Sequence, residues 1–105
     1  MFDFFNREVT PSINVNDINN LKEKINLIDI RESYEYQSGH LPKAKNIPMG
    51  ALLAEVEKYF DKSQKYYIIC QTGGRSLRTC QTLKKKGFDV INVLGGTGGY
   101  KEKLK

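Results

Sequence analysis

The sequence predicts an α/β fold, a sheet covered by helices on both sides, and three observations carry that expectation. Strand-like and helix-like segments alternate along the chain, the pattern of parallel strands joined by crossover helices. The segment Tyr66-Tyr67-Ile68-Ile69-Cys70 is aromatic and β-branched with no charge inside it, which suits a central strand buried on both faces. The chain has 105 residues, enough for one domain, and 39% hydrophobic against 28% charged residues is an ordinary globular balance.

Taken in order, the apolar pair Ile13 and Val15 opens the sheet, and Asn16 is placed as the cap of a short helix over residues 17–24. The strand Asn26-Leu27-Ile28-Asp29-Ile30 follows. Ser33 starts a helical turn over residues 33–38 that stops at Gly39. Leu41-Pro42 forces extension, and Pro48 limits a short strand over residues 44–47. Leu52, Leu53, Val56 and Phe60 recur at helical spacing and predict one amphipathic helix. Beyond the central strand, residues 76–86 carry Leu77, Cys80 and Leu83 on one stripe. That helix ends in Lys84-Lys85-Lys86, which complement its carbonyl terminus, and stops at Gly87. The strand Val90-Ile91-Asn92-Val93 and a last short helix over residues 97–103 close the chain.

Composition narrows the function. The net charge is +5, from 17 Lys and Arg against 12 Asp and Glu, so small anions are attracted. The basic clusters sit at helix ends without interleaved aromatics, a solvated face rather than a nucleic-acid footprint. No run approaches the ~18 apolar residues of a membrane span, and charge interrupts residues 1–7 before a signal-peptide core can form. A cytoplasmic protein is expected. Two cysteines and one histidine, His40, fall one ligand short of a closed zinc site, so no metal is expected.

The chemistry points to Cys70. In open α/β sheets ligands bind outside the carboxyl ends of the strands, and Cys70 ends the strand that reads as central. Gln71-Thr72-Gly73-Gly74 then turns the chain into a helix, and the paired glycines let successive N–H groups aim at one point. The helix start and the guanidinium of Arg75, with that of Arg78 as a further candidate, favour thiolate. An unperturbed thiol with a pKa near 8.5 is only about 3% ionised at pH 7, and a fall of about two units would stabilise the anion by about 2.7 kcal/mol.

The motif Cys70-x-x-Gly73-x-Arg75-Ser76 resembles the active-site loop of single-domain rhodaneses. Asp29-Ile30-Arg31, Glu35-Tyr36-x-x-Gly39-His40-Leu41-Pro42, Ala44 and Asn46-Ile47-Pro48 are similar to the family's upstream signature, and Leu94-Gly95-Gly96 to its downstream turn. The resemblance spans residues 12–105 and leaves residues 1–11 as an N-terminal extension. Phe2, Phe4 and Phe5 there could cap the core or meet a partner. The resemblance implies a three-layer rhodanese-like fold, with a five-stranded mainly parallel sheet flanked by helices. It also implies transfer of sulfane sulfur through a Cys70 persulfide, from thiosulfate or a persulfide donor to a thiol, a protein acceptor or cyanide. Gln71, Thr72, Gly73, Gly74, Arg75 and Ser76 would bind the substrate, Asp29 and Arg31 would support the loop, and no cofactor is implied. A monomer is expected. Gln71 and Thr72 stand where some thiosulfate-using members carry basic residues, and Tyr100 stands where many carry tryptophan.

Competing readings are weighed on the same residues. Cysteine phosphatases and arsenate reductases share the helix-terminus logic, but phosphatases place five residues between Cys and Arg, and four stand between Cys70 and Arg75. A non-catalytic or regulatory protein-interaction module is the other alternative, and a retained nucleophile argues against it. Cys80 reads as core packing, His40 as a structural hydrogen-bonding residue, and Asp29 with Arg31 as an ion pair. Gly95-Gly96-Thr97-Gly98-Gly99 lacks the remaining chain a dinucleotide site requires and reads as a turn that approaches the cysteine loop closely.

Overall fold

A computed structural model describes residues 9–105. The readings made for the first eight residues, including the three phenylalanines, lie outside the described residues. Five strands form one parallel sheet, β1 (Ser12–Asn14), β2 (Asn26–Asp29), β3 (Lys45–Asn46), β4 (Lys65–Ile69) and β5 (Asp89–Leu94), in the order β1-β5-β4-β2-β3. β4 is central, as the uncharged run from Tyr66 to Cys70 predicts. Its neighbours β2 and β5 shield both edges, with Ile68 opposite Ile28 on one side and Asn92 on the other.

The helices are α1 (Ser33–Gln37), α2 (Met49–Ala54), α3 (Val56–Tyr59), α4 (Gly74–Lys85) and α5 (Gly96–Gly99), with a 3₁₀ helix over Val15–Asn20. Alternation along the strands divides the core into two layers. On one face Ile28, Ile68, Cys70 and Val90 meet Leu52, Val56 and Phe60 of the α2–α3 segment and Cys80 and Leu83 of α4. On the other, Leu27, Tyr67, Ile69 and Val93 meet Val15, Ile18, Leu41 and Ala44. This is the three-layer arrangement of a five-stranded sheet expected from the sequence.

Several elements differ from their expected form, each for a local reason. The first helix is a 3₁₀ turn that starts earlier than expected, because Asn14 rather than Asn16 caps it. Its threefold repeat stacks Val15 and Ile18 on one side, where both are buried against the sheet. The amphipathic segment near Leu52 is two helices, broken at Glu55, whose φ of −145° and ψ of 58° leave the helical region. Leu77 lies off the buried stripe of α4. That stripe is Ser76, Thr79, Cys80 and Leu83, and Leu77 is 36% exposed.

The last helix is a single turn, not a run over residues 97–103. Its N–H groups at Thr97 and Gly98 bond outward to the carbonyls of Cys70 and Gln71, both at 2.9 Å. The chain then leaves in extended form and ends with the Lys105 amide donating to the His40 carbonyl at 2.8 Å.

Candidate active site

Cys70 follows the last residue of β4, at the carboxyl end of the sheet, and is 1% exposed. The chain has to reverse within three residues to start α4. Gly73 makes that possible by taking a φ of +111°, a left-handed value that a side chain would strain. The reversal aims the first free amides of the helix back at the sulfur. The Gly73 amide donates to Cys70 Sγ at 3.2 Å, the Ser76 amide at 3.3 Å, and Ser76 Oγ lies 3.3 Å away.

These contacts decide the charge on the sulfur. Burial pushes the Cys70 thiol up, but the Ser76 hydroxyl and the amides of Ser76, Gly73 and Thr72 outweigh it and leave the thiol below its ordinary range. Donors fixed before any reaction need no reorganisation when the anion forms. The result is a buried, amide-gripped sulfur with raised thiolate character.

The loop itself is held from three sides. Gly96 brings the turn before α5 so close that an added Cβ would stand 2.5 Å from the carbonyl oxygens of both Cys70 and Gln71. That is the close approach the glycine run predicts. From β2, the buried Arg31 donates to both Asp29 oxygens, at 2.8–3.2 Å, to the Gly39 carbonyl at 2.8 Å and to Gln71 Oε1 at 3.0 Å. Asp29 and Arg31 are thus a mutual pair that also anchors the loop. From α1, Glu35 takes both terminal nitrogens of Arg75, at 2.9 and 3.0 Å.

The structure therefore sorts the six loop residues that the sequence nominates. Thr72, Gly73 and Ser76 present donors to the sulfur. Gln71 directs its side chain to Arg31 and Arg75 directs its own to Glu35, so both brace the loop. Gly74 opens α4, with no atom of the described residues within 4 Å of where a Cβ would lie beyond its own helix and chain neighbours. Arg75 still feels the Cys70 charge, after the hydrogen bond to Glu35 and burial, and its own pKa is raised. Arg78, nominated beside it, is exposed.

Two residues of the site escape sequence reasoning. Glu35 was seen only as part of a motif, yet the Arg75 hydrogen bond, opposed by burial, holds its carboxyl down at about 2. In sequence Asn92 is only part of a strand, yet its Oδ1 accepts from Ser76 Oγ at 2.5 Å. The available signal was a lone amide among Val90, Ile91 and Val93. His40 stacks on Tyr36 at 3.7 Å between ring centroids and shares a 2.8 Å hydrogen bond with the Tyr36 carbonyl, a structural place. Among the described residues no group of three His, Cys, Asp or Glu side chains is arranged to hold a metal ion.

Known proteins share this fold. Residues 14–103 match the Rhodanese-like domain family. The Bacillus subtilis protein named "Putative sulfurtransferase YtwF" is 38% identical over 91 residues, which are 81% of this chain and 87% of that protein. "Putative sulfur carrier protein YrkF" of the same organism is 42% identical over 78 residues, 70% of this chain and 40% of that longer protein. A crystal structure of a rhodanese-like domain protein from Staphylococcus aureus aligns with a TM-score of 0.79 at 33% identity, covering 91% of this chain and 97% of that one. A family match over residues 14–103, joined by a relative aligned along most of its own length, means that the chain belongs to the rhodanese-like domain family.

Proposed function

We propose that this protein is a sulfurtransferase that carries sulfane sulfur as a persulfide on Cys70. The observation that supports the reading most is the ring of donors from Thr72, Gly73 and Ser76 around a buried sulfur of lowered pKa. The Cys70 thiolate attacks the outer sulfur of the donor, and the donor's S–S bond breaks with its electron pair leaving on sulfite or on a thiolate. An acceptor thiolate or cyanide then attacks the terminal sulfur, and Cys70 leaves as thiolate. No metal or organic cofactor enters these steps.

Loop size supports sulfur over phosphate. A persulfide adds one atom about 2.05 Å beyond Sγ, which a loop with four residues between Cys70 and Arg75 can hold where a tetrahedral oxyanion needs more room. The loop's side chains bear on the donor. Thr72 is uncharged and exposed, Gln71 is engaged by Arg31, and the Arg75 guanidinium is occupied by Glu35. A loop whose own cation is already neutralised favours a thiol-derived persulfide over thiosulfate as donor, and a thiol or a protein as acceptor. The work is placed in the cytoplasm, where acceptor thiols stay reduced, and in a monomer.

Incubation with thiosulfate, and separately with a small-molecule persulfide, followed by intact mass is expected to show one added sulfur atom. The Cys70→Ser variant should take up none. If that variant loads as readily as the parent, Cys70 is not the acceptor and the reading fails. Cys70-dependent turnover of an aryl phosphate would instead revive the phosphatase alternative.

A further inference from the structure

Asn92 is a polar residue at 1% exposure in a strand whose neighbours Val90 and Val93 are core. Its oxygen is engaged at 2.5 Å by Ser76 Oγ, while its Nδ2 has no partner among the described residues. Ser76 Oγ, itself in a residue at 0% exposure, also lies 3.1 Å from the Gly73 carbonyl and 3.3 Å from Cys70 Sγ. A hydroxyl has one proton, and this one has three neighbours able to accept it once the sulfur is anionic.

While Cys70 is a thiol the chain of bonds runs one way. The S–H donates to Ser76, and Ser76 donates to Asn92. A sulfur bearing negative charge has no proton to give, and in a buried site it requires every donor within reach. The Ser76 hydroxyl then turns to Sγ, which leaves the Asn92 oxygen facing a second lone pair at a separation that only a hydrogen bond sustains. A half-turn of the carboxamide exchanges two groups of equal size and presents N–H to Ser76 Oγ. The repulsion disappears and the amino group gains an acceptor, while the oxygen takes the place the amino group held.

We propose that Asn92 is a positioning residue whose carboxamide turns over with the charge on Cys70. It offers its oxygen to Ser76 while Cys70 is a thiol and its amino group when Cys70 is a thiolate. The proposal rests on reading Cys70 as the reacting sulfur and extends the site to β5. The other charged and titratable groups around the sulfur are few. Arg75 of α4 acts on it through charge and is paired with Glu35 of α1, Cys80 lies further along α4, and Asp29 with Arg31 closes the end of β2. None of them bonds the Ser76 hydroxyl.

The unmodified protein gives the first test. The side-chain amide resonances of Asn92, followed by proton–nitrogen NMR, are expected to move with the midpoint of Cys70 ionisation. Resonances that stay fixed through that midpoint overturn the proposal. Asn92→Asp keeps the shape and removes the donor. Its iodoacetamide alkylation at pH 7 is expected to be about tenfold slower, a midpoint raised by about one unit. In a Ser76→Ala background the same substitution should slow alkylation by less than about threefold, because the hydroxyl that transmits the effect is gone. Equal slowing in both backgrounds would mean that the new carboxylate acts by charge alone, and would sink the idea. Sulfur uptake measured on the same samples separates the two readings. Intact coupling without uptake counts against the sulfurtransferase, and uptake without coupling counts against the turnover of Asn92.

Discussion

Cys70 and Cys80 belong to the same buried layer, at 1% and 0% exposure, yet the fold treats their sulfurs in opposite ways. Burial pushes both thiols up. For Cys80 nothing opposes it, and with the Cys70 charge as a second cause the thiol is raised to about 12. For Cys70 the same burial is outweighed by the Ser76 hydroxyl and three backbone amides. The difference lies in the backbone. Cys80 sits in the middle of α4, where the surrounding amides are committed to carbonyls one turn back. Cys70 sits just before α4, where the first amides of a helix have no such partner. Burial therefore silences one cysteine and arms the other, and helix position decides which.

The sharpest way to break this contrast is selective alkylation. With its pKa near 12, Cys80 is ionised to only about one part in 10⁵ at pH 7. Iodoacetamide is expected to modify Cys70 more than about 10³-fold faster, read by peptide mass mapping, and comparable rates would erase the distinction. A second break acts on the loop's support. Gly96→Ala places a Cβ 2.5 Å from the Cys70 and Gln71 oxygens at a φ of +61°. It should cost about 2–4 kcal/mol in urea denaturation and loosen the grip on the sulfur. Unchanged stability would show that the turn yields without strain.

Smaller effects sharpen the contrast. Ser76→Ala removes one of the donors that separate Cys70 from Cys80, so the Cys70 midpoint should rise by about one unit, seen in the pH profile of alkylation. The Glu35–Arg75 pair is partly exposed, and Glu35→Gln should cost about 1 kcal/mol at neutral pH. The sign with pH follows from the depressed carboxyl. Its ordinary value is 4.5 and its folded value about 2, so the stabilisation is complete above 4.5 and is lost as pH falls through about 2. Parent and variant should therefore converge in acid unfolding at the lower end of that window. A gap that persists there would assign the cost to packing instead.

Much of this site is legible in the chain, and the parts that are not share a cause. Cys70 declares itself because strand, glycine turn and helix are consecutive in sequence, so the geometry they impose is local. The Asp29–Arg31 pair is legible for the same reason, with the two residues flanking one strand end. Glu35 and Arg75 are separated by 40 positions, as are Arg31 and Gln71. Nothing local says that they meet. Asn92 could be noticed as a misplaced amide, but its partner Ser76 belongs to another element, and only the packing of α4 on β5 joins them.

Boundaries follow the same division. The uncharged run of β4 was bound to be central, since no other place buries both its faces. Whether residues near Val15 form an α or a 3₁₀ turn depends on which residues must face the sheet, a question of tertiary contact. Leu77 shows the same limit, because helical periodicity alone leaves the azimuth of the buried stripe open. The stripe is set by Ser76 reaching Asn92 and the sulfur.

By itself, then, the amino-acid order determined an α/β sheet, its central strand and a glycine-turned cysteine loop at that strand's carboxyl end, because hydrophobic period and turn chemistry act over a few neighbouring residues. Only the tertiary structure decided that Arg75 braces the loop from Glu35, that Gly96 seats a second turn on it, and that an amide of β5 reaches the serine beside the sulfur. Those contacts join residues far apart in sequence, and they exist only once the helices have closed on the sheet.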